Sequence, residues 1–425
     1  MSFCHTGATT TSRFLKVLFI GFVVVHVLAD VILSTRQIGG DFSMRYHEVE
    51  CIRRGVDPFA VWKGSIHFPP YYGYGREPIA DQNKMVCVYP PWEYTLLAPL
   101  MHFPLPTASR LFRFLEIAAV CFLAGFGFRF ARRRGCNGLD AVFCTAWAFV
   151  LGMALQNSIQ FQNYGIVLTA LVAVLALALA AKWDILAGFC LAALLVKPQF
   201  AALFFIPLAM QRKWRAIAIA ISSCLLASLW PAIRCGVSPL RLVTEIFLSG
   251  KAGTYRTILL PDPVFALVQS MVGVSGAMAT SATLGAAACA FLCWKLRSAD
   301  AWIVKMLPCC ILAPAWTYSQ FHDRCLYFFP LLFMAMAFVG TNSLRKRALL
   351  VLATTCLAST YLFHFHPKSL SWIGEAGLTL PPGFPGKILY AVILAASLLG
   401  TVLAAVFCLK MAPTDPSRQP TSDSQ

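Results

Sequence analysis

The chain has 425 residues, of which 58% are hydrophobic and 12% are charged. Soluble domains carry about 25% charged residues, so this composition excludes a water-soluble globular protein. The net charge of +17 does not indicate nucleic-acid binding, because most Lys and Arg residues form short clusters between apolar runs. We therefore expect an all-α polytopic membrane protein that is surrounded by membrane lipids and binds no nucleic acid.

Apolar runs predict the helices that span the membrane. The first run, residues 14–33, is long enough to span and is followed by no small-residue cleavage site, so it predicts an uncleaved first span. The run 185–210 is interrupted by Lys197-Pro198, which predicts two short helices that meet near the outer surface. With the remaining runs we expect about twelve transmembrane helices. Those runs are 108–130, 140–156, 165–181, 216–231, 273–294, 301–318, 325–341, 348–363 and 387–410.

Basic residues between the runs predict the orientation of the chain. With this helix count, the clusters all fall on the same side as Arg13, which is the pattern of cytoplasmic loops. The clusters are Arg132–Arg134, Lys182, Arg212–Arg215, Lys295 with Arg297, and Arg345–Arg347. Both termini are therefore predicted in the cytoplasm. We expect one transmembrane domain over residues 1–410 and a disordered cytoplasmic tail at 411–425.

Polar loops collect on the opposite face. The first outer loop, residues 34–107, is the longest, and shorter polar segments follow at 156–165, 197–199, 232–262, 318–324 and 364–386. A purely structural membrane protein has no need to place its polar loops on one side. This asymmetry predicts a functional site at the outer face.

The first outer loop begins with the pattern of an amphipathic helix that lies in the interface plane. Its apolar face is predicted to carry Phe42, Tyr46, Val49 and Ile52, and its polar face Arg45, Glu48, Arg53 and Arg54. Gly55 is a plausible C-cap. Asp57, in the turn that follows, is predicted to be structural. The loop thus supplies an ordered segment next to the membrane.

Asp41 lies at the start of this predicted helix and has two interpretations. It is either a helix N-cap or a general base at the membrane surface. The two are compatible, because a capping position fixes the carboxylate and keeps it ionised. Farther along the loop, Tyr89-Pro90-Pro91 predicts a rigid corner before a helix that dips into the outer interface, with Trp92 and Tyr94 in an aromatic belt.

Cationic and amide side chains near the outer helix ends are candidates for substrate binding. Lys197, inside an apolar run, is either a built site or a lysine that extends to the interface. In the cluster at residues 318–324, His322 and Arg324 either bind substrate or form a solvated turn with a local ion pair. Gln162 and Asn163 either bind sugar hydroxyls or line helix ends.

Cysteine and histidine patterns give weaker predictions. Most of the 16 cysteines lie in apolar runs, Cys289 among them, where they behave as small hydrophobes. A bridge between two of Cys51, Cys87 and Cys235 is an open alternative, since pairing cannot be deduced from sequence. His364 and His366 have no third ligand nearby and do not predict a metal site.

Taken in order, these motifs resemble the polytopic GT-C glycosyltransferases, and most closely glycosyltransferase family 87. The order is Asp41 soon after the first span, a Gly-x-Asp-Pro turn at 55–58, the Tyr-Pro-Pro corner at 89–91, Gln162-Asn163-Tyr164-Gly165, and Lys197-Pro198-Gln199. The resemblance covers roughly residues 14–340. The family includes polyprenyl-phosphate-mannose-dependent mannosyltransferases of actinobacteria.

The resemblance implies a GT-C-like bundle in the bacterial cytoplasmic (inner) membrane, with the active site between the first outer loop and the outer helix ends. It implies a polyprenyl-phosphate-linked sugar donor and a lipid or glycan acceptor. The transferred sugar is expected to be mannose or another hexose or pentose, and the configuration at its anomeric carbon is expected to invert. Asp41 matches the family's catalytic aspartate. The candidate substrate- or phosphate-binding residues are Tyr89, Gln162, Asn163, Lys197, His322 and Arg324.

One departure from the GT-C pattern bears on cofactors. Many of these enzymes carry an Asp-Glu or Asp-Asp pair, whereas Asp41 is followed by Phe42, so we expect metal independence and no cofactor. The main alternative function is a transporter or flippase for a lipid-linked or small polar solute. Transporters usually place ionisable residues at mid-membrane and show repeated halves, and neither feature is found here. A membrane acyltransferase, which needs a His-centred site, rests on His322 alone.

Overall fold

The computed structural model of the chain describes residues 10–34, 40–62, 89–149, 152–245, 263–314, 321–358, 395–396 and 399–407. Within these ranges the protein is helical throughout and contains no β-strand. The expectation of an all-α protein is therefore confirmed for the described part of the chain.

The helices follow one another through short turns. The α-helices are α1 (Thr10–Ser34), α2 (Gly40–Arg53), α3 (Pro58–Trp62), α4 (Pro91–Leu97), α5 (Leu105–Arg133), α6 (Gly138–Ala148), α7 (Gly152–Phe161), α8 (Gly165–Ala180), α9 (Asp184–Leu194), α10 (Pro198–Ala201), α11 (Phe205–Met210), α12 (Trp214–Cys235), α13 (Pro263–Lys295), α14 (Trp302–Leu312), α15 (Phe328–Val339) and α16 (Leu344–Ala358). Short 3₁₀ helices cover Ala98–His102, Ala202–Phe204 and Phe321–Tyr327. Residues 239–245 and 399–407 are also helical.

Three helices of the described part are long and apolar enough to cross a membrane. They are the segment Ser12–Ala29 of α1, all of α5 and all of α12. The helices α7 and α8 qualify only as a pair, and they are bent by 111° at the turn between them. Other apolar helices, such as α6 and α9, have 11 residues each. The membrane character is thus clear, and the number of about twelve spans stays a prediction.

The predicted break in the run 185–210 is confirmed. Helix α9 ends at Leu194, and α10 begins at Pro198, the residue after Lys197. Proline is well placed at the first position of a helix, because an N–H group there would have no intrahelical acceptor. The chain then continues through a 3₁₀ turn into α11. The break places the side chain of Lys197 at a helix start inside an otherwise apolar region.

Two apolar clusters hold the helices together. The larger is formed mainly by α5 to α9 and α12 to α15, with Leu123, Leu194, Phe204, Phe329 and Phe333 almost fully buried. The smaller joins the first outer loop to α5 and to the end of α12, and its members include Phe42, Val49, Ile52, Phe59, Tyr94 and Phe112. The helices of the first outer loop are therefore packed onto the bundle and form a wall at one end of it.

Helix α2 confirms one side of the predicted amphipathic pattern and corrects the other. Phe42, Val49 and Ile52 are buried as expected, and Gly55 ends the helix with a left-handed φ of 75°. The polar face, however, is not solvated throughout: Arg45 and Glu48 are buried, because they pair with each other inside the protein. The prediction that α2 lies flat with its charged side in water was wrong for these two residues.

Two other expectations for the loop have clear outcomes. Asp57 is structural, since its side chain accepts a hydrogen bond of 2.9 Å from the backbone N–H of Phe59 at the start of α3. Tyr94 is fully buried in the smaller cluster, so its placement in an aromatic belt was wrong. Cys51 and Cys235 do not bridge each other, whereas Cys87 lies outside the described residues.

Close packing of α9 against α12 depends on Gly188. A Cβ atom added there would lie 2.6 Å from the Cβ of Ile219 and 2.9 Å from the carbonyl oxygen of Ala216. Small residues let transmembrane helices approach closely. We therefore expect Gly188→Ala to destabilise the protein by about 1–3 kcal/mol, measured as a lower midpoint of thermal unfolding in detergent.

The matched control is Gly125→Ala in α5. An added Cβ meets no atom within 4 Å there, so the substitution should be neutral or stabilise by about 0.5–1 kcal/mol through helix propensity. Equal effects of the two substitutions would contradict the packing argument.

Candidate functional site

Asp41 is the first residue in the chain that belongs to the candidate site. It lies in the first turn of α2, where the helix dipole favours a carboxylate, and its side chain is half-buried. Its Oδ2 atom accepts a hydrogen bond of 2.5 Å from the Nδ2 atom of Asn163. Among the described residues, no other group bonds to this carboxylate. Oδ1 thus stays available to a ligand while Oδ2 fixes the orientation of the group.

The sharp turn between α7 and α8 presents Asn163. Gln162 has a left-handed φ of 51°, and its amide side chain bonds twice to Ser109 of α5, at 2.7 Å each. The backbone N–H of Asn163 donates to the carbonyl of Ser158, whose hydroxyl donates in turn to the carbonyl of Asn163. Gln162 and Ser158 therefore fix the turn, and the side chain of Asn163 is left to face Asp41.

Lys197 lies on the other side of Asn163. Its side chain is buried, and its Nζ atom donates to Oδ1 of Asn163 and to Oδ1 of Asp323, at 2.5 Å each. Because the ammonium only donates and the Asp41 carboxylate only accepts, the amide of Asn163 is satisfied in one orientation, with oxygen toward Lys197 and nitrogen toward Asp41. The interpretation of Lys197 as a lysine extending to the interface was wrong.

Asp323 completes a chain of four side chains, Asp41–Asn163–Lys197–Asp323, which we call the polar relay. It lies on the 3₁₀ helix Phe321–Tyr327 and is 4% exposed. The alternative of a solvated turn at residues 318–324 was wrong for Asp323, because its carboxylate is buried and pairs with Lys197. Burial of both charges is stable only when they are paired and hydrogen-bonded.

Aromatic and charged groups of the first outer loop surround the relay. The hydroxyl of Tyr89 lies 3.4 Å from Nδ2 of Asn163, and its ring is covered by the guanidinium of Arg45 at 4.2 Å. Arg45 pairs with Glu48, and Tyr164 donates a hydrogen bond of 2.5 Å to Oε1 of Glu93. The site is therefore built jointly by α2, the Tyr-Pro-Pro corner and the α7–α8 turn.

Burial changes the proton affinity of two groups in this loop. It raises the pKa of Tyr89 well above its usual value, and the Asp41 carboxylate adds to the effect. It also raises the pKa of Glu93 to about 8, although the neighbouring Arg45 acts in the opposite direction. Glu93 is thus largely a neutral acid at pH 7, and Oε2 has no hydrogen-bond partner among the described residues. A neutral carboxyl group of this kind can donate a hydrogen bond to a ligand hydroxyl.

Four of the seven residues predicted from sequence come together, namely Asp41, Tyr89, Asn163 and Lys197. Gln162 is turned toward Ser109 and does not join the relay. Arg324 is buried on the same 3₁₀ helix as Asp323. The side chain of His322 lies outside the described residues, as do His364 and His366.

Sequence reasoning missed the parts of the site that depend on long-range contacts. Glu93, Arg45 and Tyr164 were not candidates, and the pairing of Asp323 with Lys197 was not predicted. A signal did exist for Glu93: it is an acidic residue two positions after tandem prolines in a stretch otherwise apolar or aromatic. Carboxylates are rarely placed in such surroundings without a function.

The arrangement can orient a base and bury charge next to a ligand-accessible carboxylate, as a group-transfer enzyme requires. The sequence profile described as Glycosyltransferase family 87 matches residues 88–360, well over half of the chain. The chain belongs to glycosyltransferase family 87. It is therefore a membrane glycosyltransferase, and the transporter and acyltransferase alternatives are set aside. No curated protein matches it.

Most residues of the polar relay lie inside the segment that matches the family. Asn163, Lys197 and Asp323 of the glycosyltransferase lie inside the matched segment, and so do Tyr89 and Glu93. Asp41 lies before it, and the hydrogen bond from Asn163 joins Asp41 to the matched segment. The first outer loop and the family-matched bundle therefore form one site.

Glu93 predicts a pH dependence of stability. Because its pKa is raised in the folded protein, the folded state binds a proton more tightly than the unfolded state between about pH 4.5 and 8. The stabilisation from this group is complete below about pH 4.5 and is lost as the pH rises through about 8. We expect Glu93→Gln to flatten this decline, by a few kcal/mol over the range, in thermal unfolding curves recorded from about pH 5 to 8.5.

The matched control is Glu50→Gln on α2. Hydrogen bonds from Arg53 lower the pKa of Glu50, so its contribution is lost at acidic pH instead. This variant should keep the decline toward pH 8. If Glu93→Gln kept the decline as well, another group would be responsible for it.

Proposed function

We propose that this glycosyltransferase moves a sugar from a polyprenyl-phosphate donor to a hydroxyl of a lipid- or glycan-linked acceptor, with inversion at the anomeric carbon. The observation that carries the proposal is the Asp41 carboxylate, half-buried and held by Asn163 through one oxygen only. The sugar is mannose or another hexose or pentose. Asp41 is the general base.

The reaction step follows from this geometry. The acceptor hydroxyl gives its proton to Oδ1 of Asp41 as its oxygen forms a bond to the anomeric carbon. The bond between that carbon and the donor phosphate oxygen breaks on the opposite face, and polyprenyl phosphate leaves with the electron pair. Because attack and departure occur on opposite faces, the configuration inverts. The bond from Asn163 aims Oδ1 at the acceptor.

Charge that grows on the leaving phosphate needs cations nearby. Lys197 uses two of its N–H groups on Asn163 and Asp323, and its third is left for a phosphate oxygen. Arg324, one residue beyond Asp323, is the second cation that we assign to the phosphate, and His322 lies on the same 3₁₀ helix. Amide and hydroxyl groups of Asn163 and Tyr89 are assigned to the sugar. The step uses protein groups alone, so we propose that catalysis is independent of metal.

We place the reaction at the outer face of the bacterial inner membrane, and contacts between charged groups support this side. Lys16 pairs with Asp140, close to the Arg132–Arg134 cluster, and Lys213 pairs with Asp184 at 3.0 Å. All four residues lie in loops predicted to be cytoplasmic or at the predicted cytoplasmic ends of spans. The relay is built from segments predicted to lie at the other end, namely the first outer loop, the α7–α8 turn and the start of α10.

Reconstitution in proteoliposomes tests the proposal. With a radiolabelled polyprenyl-phosphate mannose and a lipid acceptor, we expect transfer of label to the acceptor, and no transfer from a nucleotide-linked mannose. Transfer from the nucleotide sugar but not from the lipid-linked sugar would overturn the donor assignment. Retention of configuration in the product, read from the anomeric proton by NMR, would overturn the single-step mechanism.

A further inference from the structure

Three buried thiols converge where α13 meets α14. Cys289 and Cys293 lie one turn apart on α13, and Cys309 reaches them from α14. The sulfur of Cys289 lies 3.9 Å from that of Cys293 and 3.6 Å from that of Cys309, and all three sulfurs are within 4.8 Å of one another. None of the three residues is more than 2% exposed. In the described part of the chain, no other three metal-ligating side chains come this close.

The spacing fits a metal site of known geometry. Zinc binds thiolates at about 2.3 Å in a tetrahedral arrangement, which places neighbouring sulfurs about 3.8 Å apart. The two sulfur–sulfur distances, 3.9 Å and 3.6 Å, lie on either side of this value. Ligands four residues apart on a helix lie on one face, so Cys289 and Cys293 form two corners without distortion of α13. Thiolate groups select zinc and copper(I) among the cellular metals.

Polar groups around the thiols also suit a metal. The sulfur of Cys309 lies 3.3 Å from the carbonyl oxygen of Leu203, and that of Cys293 lies 3.7 Å from the carbonyl oxygen of Lys305. Metal binding would replace these weak S–H contacts, and each thiol that coordinates would release its proton to solvent.

We propose that Cys289, Cys293 and Cys309 bind one thiophilic cation with a filled d shell, either Zn²⁺ or Cu⁺. The site is distinct from the polar relay and has a structural role. It joins α13 to α14 next to the 3₁₀ turn Ala202–Phe204, where the carbonyl oxygen of Leu203 lies 3.3 Å from the sulfur of Cys309. Lys295 marks the end of α13 that is predicted to face the cytoplasm, where thiols stay reduced.

Metal content of the full-length protein in detergent tests the proposal. Bound metal is first removed with a chelator, and the protein is then titrated separately with Zn²⁺ and with Cu⁺. We expect one equivalent of metal per chain by elemental analysis. The ion that binds more tightly is assigned to the site. Cys289→Ala and Cys309→Ala should each weaken binding at least about 100-fold. Cys190→Ala is the matched control: this buried cysteine of α9 is outside the cluster and should leave binding unchanged.

A second readout on the wild-type protein keeps the test independent of variant folding. Loading with Cd²⁺ should produce a thiolate-to-metal charge-transfer band, and the three cysteines should become protected from alkylation under mild denaturation, as read by mass spectrometry. Binding that persists in both cluster variants would overturn the proposal. The proposal would also be overturned if the three cysteines stayed reactive toward alkylation in the presence of metal. A disulfide between Cys289 and Cys309 in protein purified without oxidant would overturn it as well.

Discussion

Asp41→Asn is expected to lower the rate of sugar transfer by about 100-fold to 10,000-fold. The substituted amide keeps the size of the carboxylate, and its oxygen still accepts the hydrogen bond from Asn163, so the local structure should persist. What it loses is the ability to take a proton from the acceptor hydroxyl. The measurement is the initial rate in the proteoliposome assay, with the acceptor varied to separate kcat from KM. We expect the loss in kcat.

Asp57→Asn is the matched control for this experiment. Asp57 belongs to the same loop, caps α3 and lies 3.6 Å from Arg241, so its role is structural. An asparagine also caps helices well, and transfer should stay within about twofold of wild type. A wild-type rate of sugar transfer in Asp41→Asn would show that Asp41 is not the base, and Glu93 would become the next candidate. A proportional loss in both variants would indicate a folding defect of the loop.

The parts of this site that depend on local sequence could be predicted. The break at Lys197-Pro198 follows from the missing N–H group of proline, and the end of α2 at Gly55 follows from the left-handed conformation that glycine tolerates. The apolar face of α2 follows from the helical spacing of its apolar residues. Each of these features is decided by residues within a few positions of one another.

Features decided by distant contacts could not be predicted in the same way. Arg45 and Glu48 belong to a charged face that any amphipathic-helix argument places in water, yet both are buried, and Arg45 stacks on the ring of Tyr89 from the Tyr-Pro-Pro corner. Lys197 and Asp323 are 126 positions apart, and nothing in the sequence indicated that they pair. Pairing of these buried charges depends on the tertiary structure, because the two residues lie on helices that are far apart in the sequence.

Removal of either charge from the Lys197–Asp323 pair is expected to destabilise the protein by about 3–5 kcal/mol. Lys197→Met leaves a carboxylate buried without its counter-charge, and Asp323→Leu leaves a buried ammonium. The double variant removes both charges, so its loss should be much smaller than the sum of the single losses. Thermal or denaturant unfolding in detergent measures the cycle. Additive losses would mean that the two charges do not stabilise each other.

The pair Lys213–Asp184 is the matched control, because it has the same chemistry at the opposite end of the bundle. Both side chains are partly exposed, at 22% and 25%, and water screens their interaction. A cycle with Lys213→Met and Asp184→Leu should give a coupling energy of no more than about 1 kcal/mol. The contrast between the two cycles separates burial from mere proximity of charges.

Activity of the Lys197→Met/Asp323→Leu variant then separates two roles of the pair. If Lys197 only balances Asp323, the apolar double variant recovers both stability and transfer. If the ammonium also sets the orientation of the Asn163 amide, as the relay indicates, stability recovers but transfer stays reduced about tenfold or more, since the amide loses the donor that directs its nitrogen toward Asp41. We expect the second result, because a buried lysine is a costly way to balance a carboxylate that a leucine could replace.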